Sequence, residues 1–302
     1  MSPFHQYLTE EVALDHVDGL ISRREALRRL GMLGLTAGAA VTLIAACSED
    51  VPAAKTRSSA APGSTPGTPT ISPTPLPTQP ITFPGPAGRT LQGAWAAAAG
   101  EPRGAVLVIH ENKGLTDHIR SVAGRFAASG YSALALDLLS AEGGTASFSD
   151  PGALTAALGT IPPERFVADM RGGIGELSRR APGRKLAAVG FCFGGGMVWS
   201  LLGSGENRLS AAVPFYGPIP DGANLAAADA AVLAVYAEKD ARVNASRAAA
   251  TAALQKANLT HEIVTFPGAD HAFFNDTGQR YDAAAATTVY RQVLDWFGRH
   301  LA

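Results

Sequence analysis

Short apolar runs alternate with amphipathic stretches along the sequence from Thr82 onward. The runs are rich in Val, Leu and Ala without polar alternation, which is typical of strands that are buried on both faces. The predicted strands are 104–111, 131–139, 185–192, 209–217, 230–240 and 261–268. The predicted helices are 117–130, 150–180 with a break at Pro162-Pro163, the segment GGMVWSLLG, 244–259 and 281–301. This alternation predicts an α/β fold with a mostly parallel, doubly wound sheet and helices on both faces.

Composition narrows the class of protein further. The chain has 302 residues, 46% of them hydrophobic, which is enough for one large domain or two smaller ones. A formal net charge of −1 gives neither a basic field for nucleic acid nor an acidic field for a cation store. Two cysteines are too few for a disulfide framework. In a doubly wound sheet, reactive groups gather at the carboxyl ends of the strands, so those ends are where we look for function.

The N-terminal segment has the pattern of an export signal. Arg23 and Arg24 follow Ser22 and precede an uncharged run at 31–46. That run is short for a membrane span, which needs roughly twenty residues, and it fits the hydrophobic region of a signal peptide better. The paired arginines resemble a twin-arginine signal. The ending IAAC at Cys47 resembles a bacterial lipobox, in which the cysteine is lipidated. An uncleaved N-terminal membrane anchor is the alternative.

A stretch rich in Pro, Thr and Ser follows the signal pattern. It has no apolar period and cannot bury enough surface to order itself, so it predicts a stiff, extended tether. We therefore divide the chain into a twin-arginine-like or lipoprotein signal segment at 1–47, a disordered tether at 48–81 and a catalytic domain at 82–302. The expected location is periplasmic, or outside the cytoplasm and anchored to a membrane through lipid on Cys47.

The segment GFCFGGG lies where the predicted strand 185–192 ends and a helix begins. A nucleophile elbow is a sharp strand-to-helix turn with a strained central residue and small residues two positions to either side. Gly190 and Gly194 take those places around Cys192. The amide end of the following helix favours a thiolate, and the backbone N–H of Phe193 is placed to face an oxyanion. A free cysteine is otherwise often buried and inert, but an inert one needs no such turn.

A thiol nucleophile needs a base and a group that orients the base. His271 follows the last predicted strand, and Asp240 ends the strand before it. The chain order Cys192, Asp240, His271 is the order found in α/β-hydrolases. Asp270 and Glu238 are competing candidates for the orienting carboxylate, although Asp270 is adjacent to His271 and poorly placed to reach its ring.

The loop after the first predicted strand, HENKG, supplies the other expected site groups. The backbone N–H of Asn112 is the predicted second oxyanion donor, and Glu111 is placed to hydrogen-bond the resting thiol. His110 is interpreted as a core histidine bonded to backbone, with a catalytic role as the alternative. No His/Cys spacing indicates a metal site and no glycine-rich loop indicates a nucleotide, so we expect no cofactor. The histidines that fit no catalytic role are His5, His16, His261 and His300.

Four segments together resemble the dienelactone hydrolase family, a cysteine branch of the α/β-hydrolases: VIHENKGLTDHIRSVAGRFAASGYSALALDLL, GFCFGGG, YAEKDARV and GADHAFFND. The resemblance covers about Leu91 to the C terminus. It implies the α/β-hydrolase fold, a triad of Cys192, Asp240 and His271, and a role for Glu111 in holding the thiol until substrate binds. The implied reaction is thiolate attack on a lactone or ester carbonyl, followed by hydrolysis of the acyl-enzyme by water that His271 activates.

Two features depart from the family pattern. Family members that act on dienelactone hold the substrate carboxylate with arginines, one of them shortly after the catalytic histidine, and here that place is taken by 273–275. Arg280, Arg165 and Arg171 are the candidate replacements, and Tyr216 lies in a loop expected to line the pocket. The export signal is the second departure. The dienelactone substrate therefore stays open, whereas the reaction class is retained.

The leading hypothesis is a hydrolase of small, carboxymethylenebutenolide-like esters or lactones that uses Cys192. A thioesterase or acyltransferase would use the same triad on a different acceptor. A tethered binding lipoprotein without turnover is the alternative from another class, because a fold does not guarantee a function. The expected partners are a small-molecule substrate and, through the N-terminal segment alone, a membrane. We expect no nucleic acid and a monomer.

Overall fold

The computed structural model describes residues 3–49 and 73–302. They form two compact units, called here the helical unit and the sheet unit, and each is described by itself. The helical unit consists of the described residues of Met1–Ile71 and Asp150–Thr160. The sheet unit consists of the described residues of Ser72–Ser149 and Ile161–Ala302.

The sheet unit is built on an eight-stranded sheet. Its strands are β1 (Gln79–Pro84), β2 (Thr90–Ala96), β3 (Gly104–Ile109), β4 (Tyr131–Asp137), β5 (Leu186–Phe191), β6 (Leu209–Phe215), β7 (Ala231–Ala237) and β8 (His261–Phe266). Their order across the sheet is β1-β2-β4-β3-β5-β6-β7-β8. β2 pairs antiparallel with both β1 and β4, whereas every pairing from β4 to β8 is parallel. The predicted mostly parallel sheet is confirmed.

Ten helices are described, numbered here along the whole chain. They are α1 (Pro3–Val17), α2 (Arg23–Met32), α3 (Ala37–Glu49), α4 (Asp117–Ala128), α5 (Pro151–Thr160), α6 (Pro163–Arg180), α7 (Phe193–Gly203), α8 (Ala241–Asn244), α9 (Arg247–Lys256) and α10 (Ala283–His300). On one face of the sheet, α4 and α10 meet through Phe126, Tyr290 and Phe297. On the other face, α6 meets the start of α7 through Phe166 and Phe193. The predicted helices on both faces are therefore confirmed.

The edge strand β1 and its neighbour β2 are the part of the sheet that the apolar pattern missed. Both contain polar and exposed positions, so neither reads as a continuous apolar run. β1 begins at Gln79, inside the segment predicted as tether, while 50–72 of that segment lie outside the described residues. Gly93 in β2 permits the pairing with β4, because a Cβ there would lie 2.7 Å from the carbonyl oxygen of Ala135. Backbone pairing, rather than side-chain pattern, places these strands.

The helical unit consists of α1, α2, α3 and α5. The sequence placed residues 1–47 outside the fold, but those described are helical, and Leu8 and Leu30 are fully buried. The uncharged run at 31–46 is divided between α2 and α3 rather than forming one helix. In the part of the chain that is described, none of the helices combines the length and apolarity that crossing a membrane requires. The export signal and the lipidation of Cys47 stay predictions.

Candidate active site

The turn between β5 and α7 holds Cys192 in a backbone conformation that L-residues rarely adopt, with φ 57° and ψ −118°. Glycines make the turn possible. A Cβ at Gly190 would lie 2.1 Å from the carbonyl oxygen of Gly194, and a Cβ at Gly194 would lie 2.5 Å from the carbonyl oxygen of Ile109. The strand, the turn and the helix thus approach one another as closely as backbones can, which is the geometry of a nucleophile elbow.

Hydrogen bonds fix the elbow from both sides. The N–H of Cys192 donates to the carbonyl oxygen of Phe215 at 3.1 Å, and the carbonyl oxygen of Cys192 accepts from the amides of Gly195 and Gly196. Cys192 is the N-cap of α7, so its side chain sits at the positive end of the helix dipole. A ring nitrogen of His271 lies within 4.8 Å of the Cys192 sulfur.

His271 and Asp240 lie together at the carboxyl edge of the sheet, as their positions after β8 and β7 predict. Nδ1–H of His271 donates to Oδ2 of Asp240 at 2.5 Å, and Oδ1 of Asp240 accepts from the N–H of Val243 at 3.1 Å. Burial alone would raise the pKa of Asp240, but the charge and hydrogen bond of His271 outweigh it and lower that pKa below its usual value. Asp240 is therefore ionised and fixes the His271 tautomer.

The two competing carboxylates accept hydrogen bonds from backbone N–H groups of the loop after β8. Oδ1 of Asp270 accepts from the backbone N–H of His271 at 2.8 Å. Oε2 of Glu238 accepts from the backbone N–H of Gly268 at 2.6 Å. Of the three acidic candidates, Asp240 is the one whose side chain has a hydrogen bond to the imidazole.

Glu111 and Asn275 form a buried pair across the site. Nδ2 of Asn275 donates to Oε2 of Glu111 at 2.6 Å, and Oδ1 of Asn275 accepts from the backbone N–H and hydroxyl of Thr277. Oε1 of Glu111 is buried and has no hydrogen-bond partner among the described residues. Because a buried carboxylate oxygen is costly to leave unsatisfied, this atom is ready to accept a proton or a hydrogen bond from a group that enters or reorients.

His110 has a structural role, as the first of its two interpretations expected. Its Nδ1–H donates to the carbonyl oxygen of Glu111 at 2.6 Å, and its Nε2 accepts from the N–H of Leu138 at 3.1 Å. Burial lowers its pKa below the usual value, so the ring is neutral. Its ring stacks on Phe193, and a Cβ at Gly194 would also touch its carbonyl oxygen. His110 thereby ties the loop that carries Asn112 to the start of α7.

Tyr216 lies beside the imidazole rather than at an open pocket rim. It follows β6 directly with φ 34°, and its ring packs edge-on against His271 with centroids 5.1 Å apart. It is fully buried, and burial raises its pKa well above the usual value, with the negative charges of Glu111 and Cys192 adding to the effect. Tyr216, Cys192 and Ala272 all have positive φ, so backbone strain is concentrated around these groups.

The three candidate arginines have different positions. Arg165 forms a bidentate ion pair with Glu142 at 2.6 and 2.7 Å, so its charge is already balanced. Arg171 donates to the carbonyl oxygen of Ser204, at the end of α7 opposite Cys192, and is therefore outside the site. Arg280 lies in the loop between β8 and α10 and stays a candidate.

Asn275 and Asp276 are the residues that the sequence reasoning missed. Oδ1 of Asp276 accepts from Nδ1–H of His118 at 2.7 Å, and Oδ2 accepts from Arg125. The hydrogen bond from His118, with Arg125, holds the pKa of Asp276 below its usual value. Both partners belong to α4, so this pair fastens the loop that carries His271 to the body of the sheet unit. The sequence shows that Asn275 and Asp276 follow His271 closely. It does not show which residues they bond, because those residues are distant in the chain.

The remaining four histidines have other contacts. His5 and His16 belong to the helical unit and bond backbone carbonyls. In the sheet unit, His261 bonds the carbonyl of Leu259 and His300 packs on Trp296.

Comparisons with known proteins place this geometry in a family. The model of the dienelactone hydrolase family matches residues 91–301. A protein of Escherichia coli K12 and one of Yersinia pestis, both named as candidate carboxymethylenebutenolidases, are 31% and 32% identical over 212 residues. Each alignment covers 66% of this chain, and 78% and 79% of the relative.

The structural comparison gives the same result. The solved structure of a candidate dienelactone hydrolase from Klebsiella pneumoniae is 29% identical, with a TM-score of 0.65 over 74% of this chain and 98% of the other. The family match extends over the elbow, the aspartate, the histidine loop and the glutamate. The chain therefore belongs to the dienelactone hydrolase family, a group of α/β-hydrolases that act on esters and lactones.

Proposed function

We propose that this enzyme hydrolyses small esters or lactones through a Cys192–His271–Asp240 triad and an acyl-enzyme intermediate. The observation that carries the proposal is the 2.5 Å hydrogen bond from His271 Nδ1 to Asp240, formed beside a positive-φ cysteine at a glycine-lined elbow. With Nδ1 protonated and bonded to a carboxylate, Nε2 of His271 is the basic nitrogen.

Each proton in the proposed reaction has a named carrier. The Cys192 thiol gives its proton to Nε2 of His271, and the thiolate attacks the carbonyl carbon while the C=O π pair moves to oxygen. The backbone amides of Asn112 and Phe193 donate to that oxygen. When the tetrahedral centre collapses, the C–O bond to the leaving group breaks and the leaving oxygen takes a proton from His271. Nε2 of His271 then takes a proton from water as the water oxygen attacks the thioester carbon. The C–S bond breaks, the acid leaves, and His271 returns the proton to the Cys192 sulfur.

Glu111 gives the resting thiol a hydrogen-bond acceptor in this proposal. Asn275 holds Oε2 of Glu111, which leaves Oε1 directed to other contacts. The electrostatic influence of both Glu111 and Cys192 on Tyr216 supports their closeness. In the resting enzyme Oε1 accepts the thiol hydrogen bond, and substrate binding releases the sulfur toward His271.

We propose uncharged esters or lactones as the substrate class. Where carboxylate-binding family members have an arginine after the catalytic histidine, this chain has Asn275, which is already bonded to Glu111. A substrate carboxylate there would face the Glu111 carboxyl group, and none of 273–275 is an arginine that could bind it. Arg165 gives no compensation, because it is paired with Glu142.

Activity of a Cys192→Ala variant on p-nitrophenyl acetate and on a neutral lactone tests the triad. We expect turnover to fall to the background rate, and intact-protein mass spectrometry of the wild type to show an acyl adduct on Cys192. Wild-type turnover by the variant would refute the assignment. Tight ligand binding without an adduct or turnover would instead indicate a binding protein.

We also propose that the N-terminal segment exports the enzyme and that Cys47 carries lipid. The arginine pair, the uncharged run and the IAAC ending support this, in that order along the chain. Radiolabelled palmitate should be incorporated by the wild type and not by Cys47→Ser. Equal labelling of both proteins would contradict the lipidation.

A further inference from the structure

Helix α5 belongs to the helical unit although it lies between β4 and α6 in the chain. Its glycines form the contact. A Cβ at Gly152 would lie 2.4 Å from Cε of Met32 and 2.9 Å from Cγ of Arg29. A Cβ at Gly159 would lie 2.9 Å from Cδ2 of Leu33. One face of α5 is therefore shaped to receive the end of α2.

Polar contacts fix the same arrangement. Arg28 in α2 forms a bidentate ion pair with Asp150, at 2.5 and 2.9 Å, and Oδ1 of Asp150 also caps α5 by accepting from the N–H of Gly152. The Arg28 guanidinium holds the pKa of Asp150 below its usual value. Nε2 of His5 in α1 bonds the carbonyl oxygen of Leu33 at 2.7 Å, which joins α1 to the end of α2.

The docked segment separates the two parts of the predicted signal. Arg23 and Arg24 lie in the first turn of α2 and are exposed. In the uncharged run 31–46, Leu33, Ala40 and Ile44 are buried, whereas most other positions, Met32 and Val41 among them, are exposed. A signal sequence must present its hydrophobic region to a membrane before it can be inserted or cleaved. The docked arrangement therefore leaves the arginine pair exposed and keeps part of the hydrophobic region, including Leu33 beside Gly159 of α5, buried.

We propose that α5 is a docking surface for the N-terminal helices of this same chain, and that export requires these helices to leave α5. The inference rests on the proposed export signal. Docking buries Leu33 of the leader against α5 in the precursor, while the exposed arginines remain available to an export receptor. Helix α5 comes from the chain segment between β4 and α6. The N-terminal helices therefore dock on a part of the protein that they are proposed to export.

Hydrogen exchange of the full chain tests the docking, with protein made in cells that lack twin-arginine export. In the wild type, α1, α2 and α5 should be protected together. Combined Gly152→Leu and Gly159→Leu places side chains where Met32 and Leu33 pack, so protection of α1 and α2 should fall by about tenfold or more. Leucine is also a better helix former than glycine, so loss of protection cannot result from weaker α5 propensity.

Gly175→Leu in α6 is the matched control, because the nearest atom to a Cβ there is 3.9 Å away. It should leave the protection of α1 and α2 unchanged, and all variants should keep the protection of β3 to β8. Wild-type α1 and α2 that exchange as an unfolded chain would overturn the proposal. So would a double-leucine variant with wild-type protection.

Measuring the export rate tests the docking proposal and the export signal separately. In an export-competent strain the double-leucine variant should reach the cell envelope faster than the wild type, and an unchanged or slower rate contradicts the requirement for undocking. A variant with Arg23→Lys and Arg24→Lys should not be exported. If it is exported normally, the twin-arginine signal is wrong, whereas the exchange experiment still decides the docking.

Discussion

The two halves of the catalytic arrangement are held in place by different means. The elbow around Cys192 is fixed by backbone against backbone, with glycines at every close approach. The loop that carries His271 is fixed by side chains, through Asn275 on Glu111 and Asp276 on His118 and Arg125. Backbone contacts cannot relax around an added atom, whereas a lost side-chain contact leaves the chain free to sample other positions. We therefore expect substitutions at the elbow to abolish folding or activity, and substitutions in the loop to reduce stability and activity by degrees.

The largest effect should come from Gly190→Ala. A Cβ there would lie 2.1 Å from the Gly194 carbonyl oxygen, which is backbone and cannot rotate away. We expect a loss of about 3 kcal/mol or more in the free energy of unfolding, measured with urea, and no turnover. Gly175→Ala is the control, where open space predicts a stabilisation of roughly 0.5 kcal/mol. Equal free energies of unfolding for the two variants would contradict the steric explanation of the elbow.

Asp240→Asn should come next, as a kinetic effect with a folded protein. The amide can no longer fix the His271 tautomer with Nδ1 protonated, and we expect kcat to fall by about 10³- to 10⁴-fold. Steady-state kinetics on p-nitrophenyl acetate gives the value. A loss below about tenfold would mean that another group orients the imidazole.

Acid stability offers a second test of the same contact. The folded-state pKa of Asp240 is lowered relative to the unfolded chain, so ionised Asp240 stabilises the fold above about pH 4. That stabilisation is lost as pH falls through the folded-state pKa. The free energy of unfolding of the wild type should therefore drop more steeply below pH 4 than that of Asp240→Asn. Parallel pH profiles would contradict the ionised pair.

Asn275→Ala should give a smaller, graded loss. Removing the donor leaves Oε2 of Glu111 buried without its hydrogen bond, so the carboxylate loses the contact that fixes its position. We expect kcat, measured on p-nitrophenyl acetate, to fall by about tenfold. Thr277→Val is the comparison, because it removes one bond to Asn275 and keeps the bond to Glu111. Equal kcat values for Asn275→Ala and Thr277→Val would show that the bond to Glu111 does not contribute to turnover.

The smallest effect should come from Asp276→Asn, which weakens the attachment of the loop to α4. Asp276 is more than a third exposed, so we expect the free energy of unfolding to fall by only about 1 kcal/mol. The loss of kcat should be a few-fold, and salt should reduce the difference. An effect as large as that of Asp240→Asn would show that the loop is as strictly fixed as the elbow.

Much of the fold could be predicted from local pattern, and the misses have physical causes. The central strands β3 to β8 are short apolar runs that need both faces covered, so their order along the chain already indicates a parallel sheet. β1 and β2 are joined through backbone hydrogen bonds at an edge where polar residues are allowed, so they carry no apolar signal. The helices of 1–47 resemble a signal in composition, and their contacts with α5 depend on residues more than a hundred positions away.

The sequence by itself determined the position and type of the proposed triad residues. Cys192 between glycines, Asp240 at a strand end and His271 after the last strand follow from local spacing and chain order. Only the tertiary structure decided how those groups are held. The bonds of Asn275 to Glu111 and of Asp276 to α4, and the neutral bonded state of His110, join residues that are distant in the chain. Hydrogen-bond partners and burial are set by folding, so the sequence pattern around each residue does not contain them.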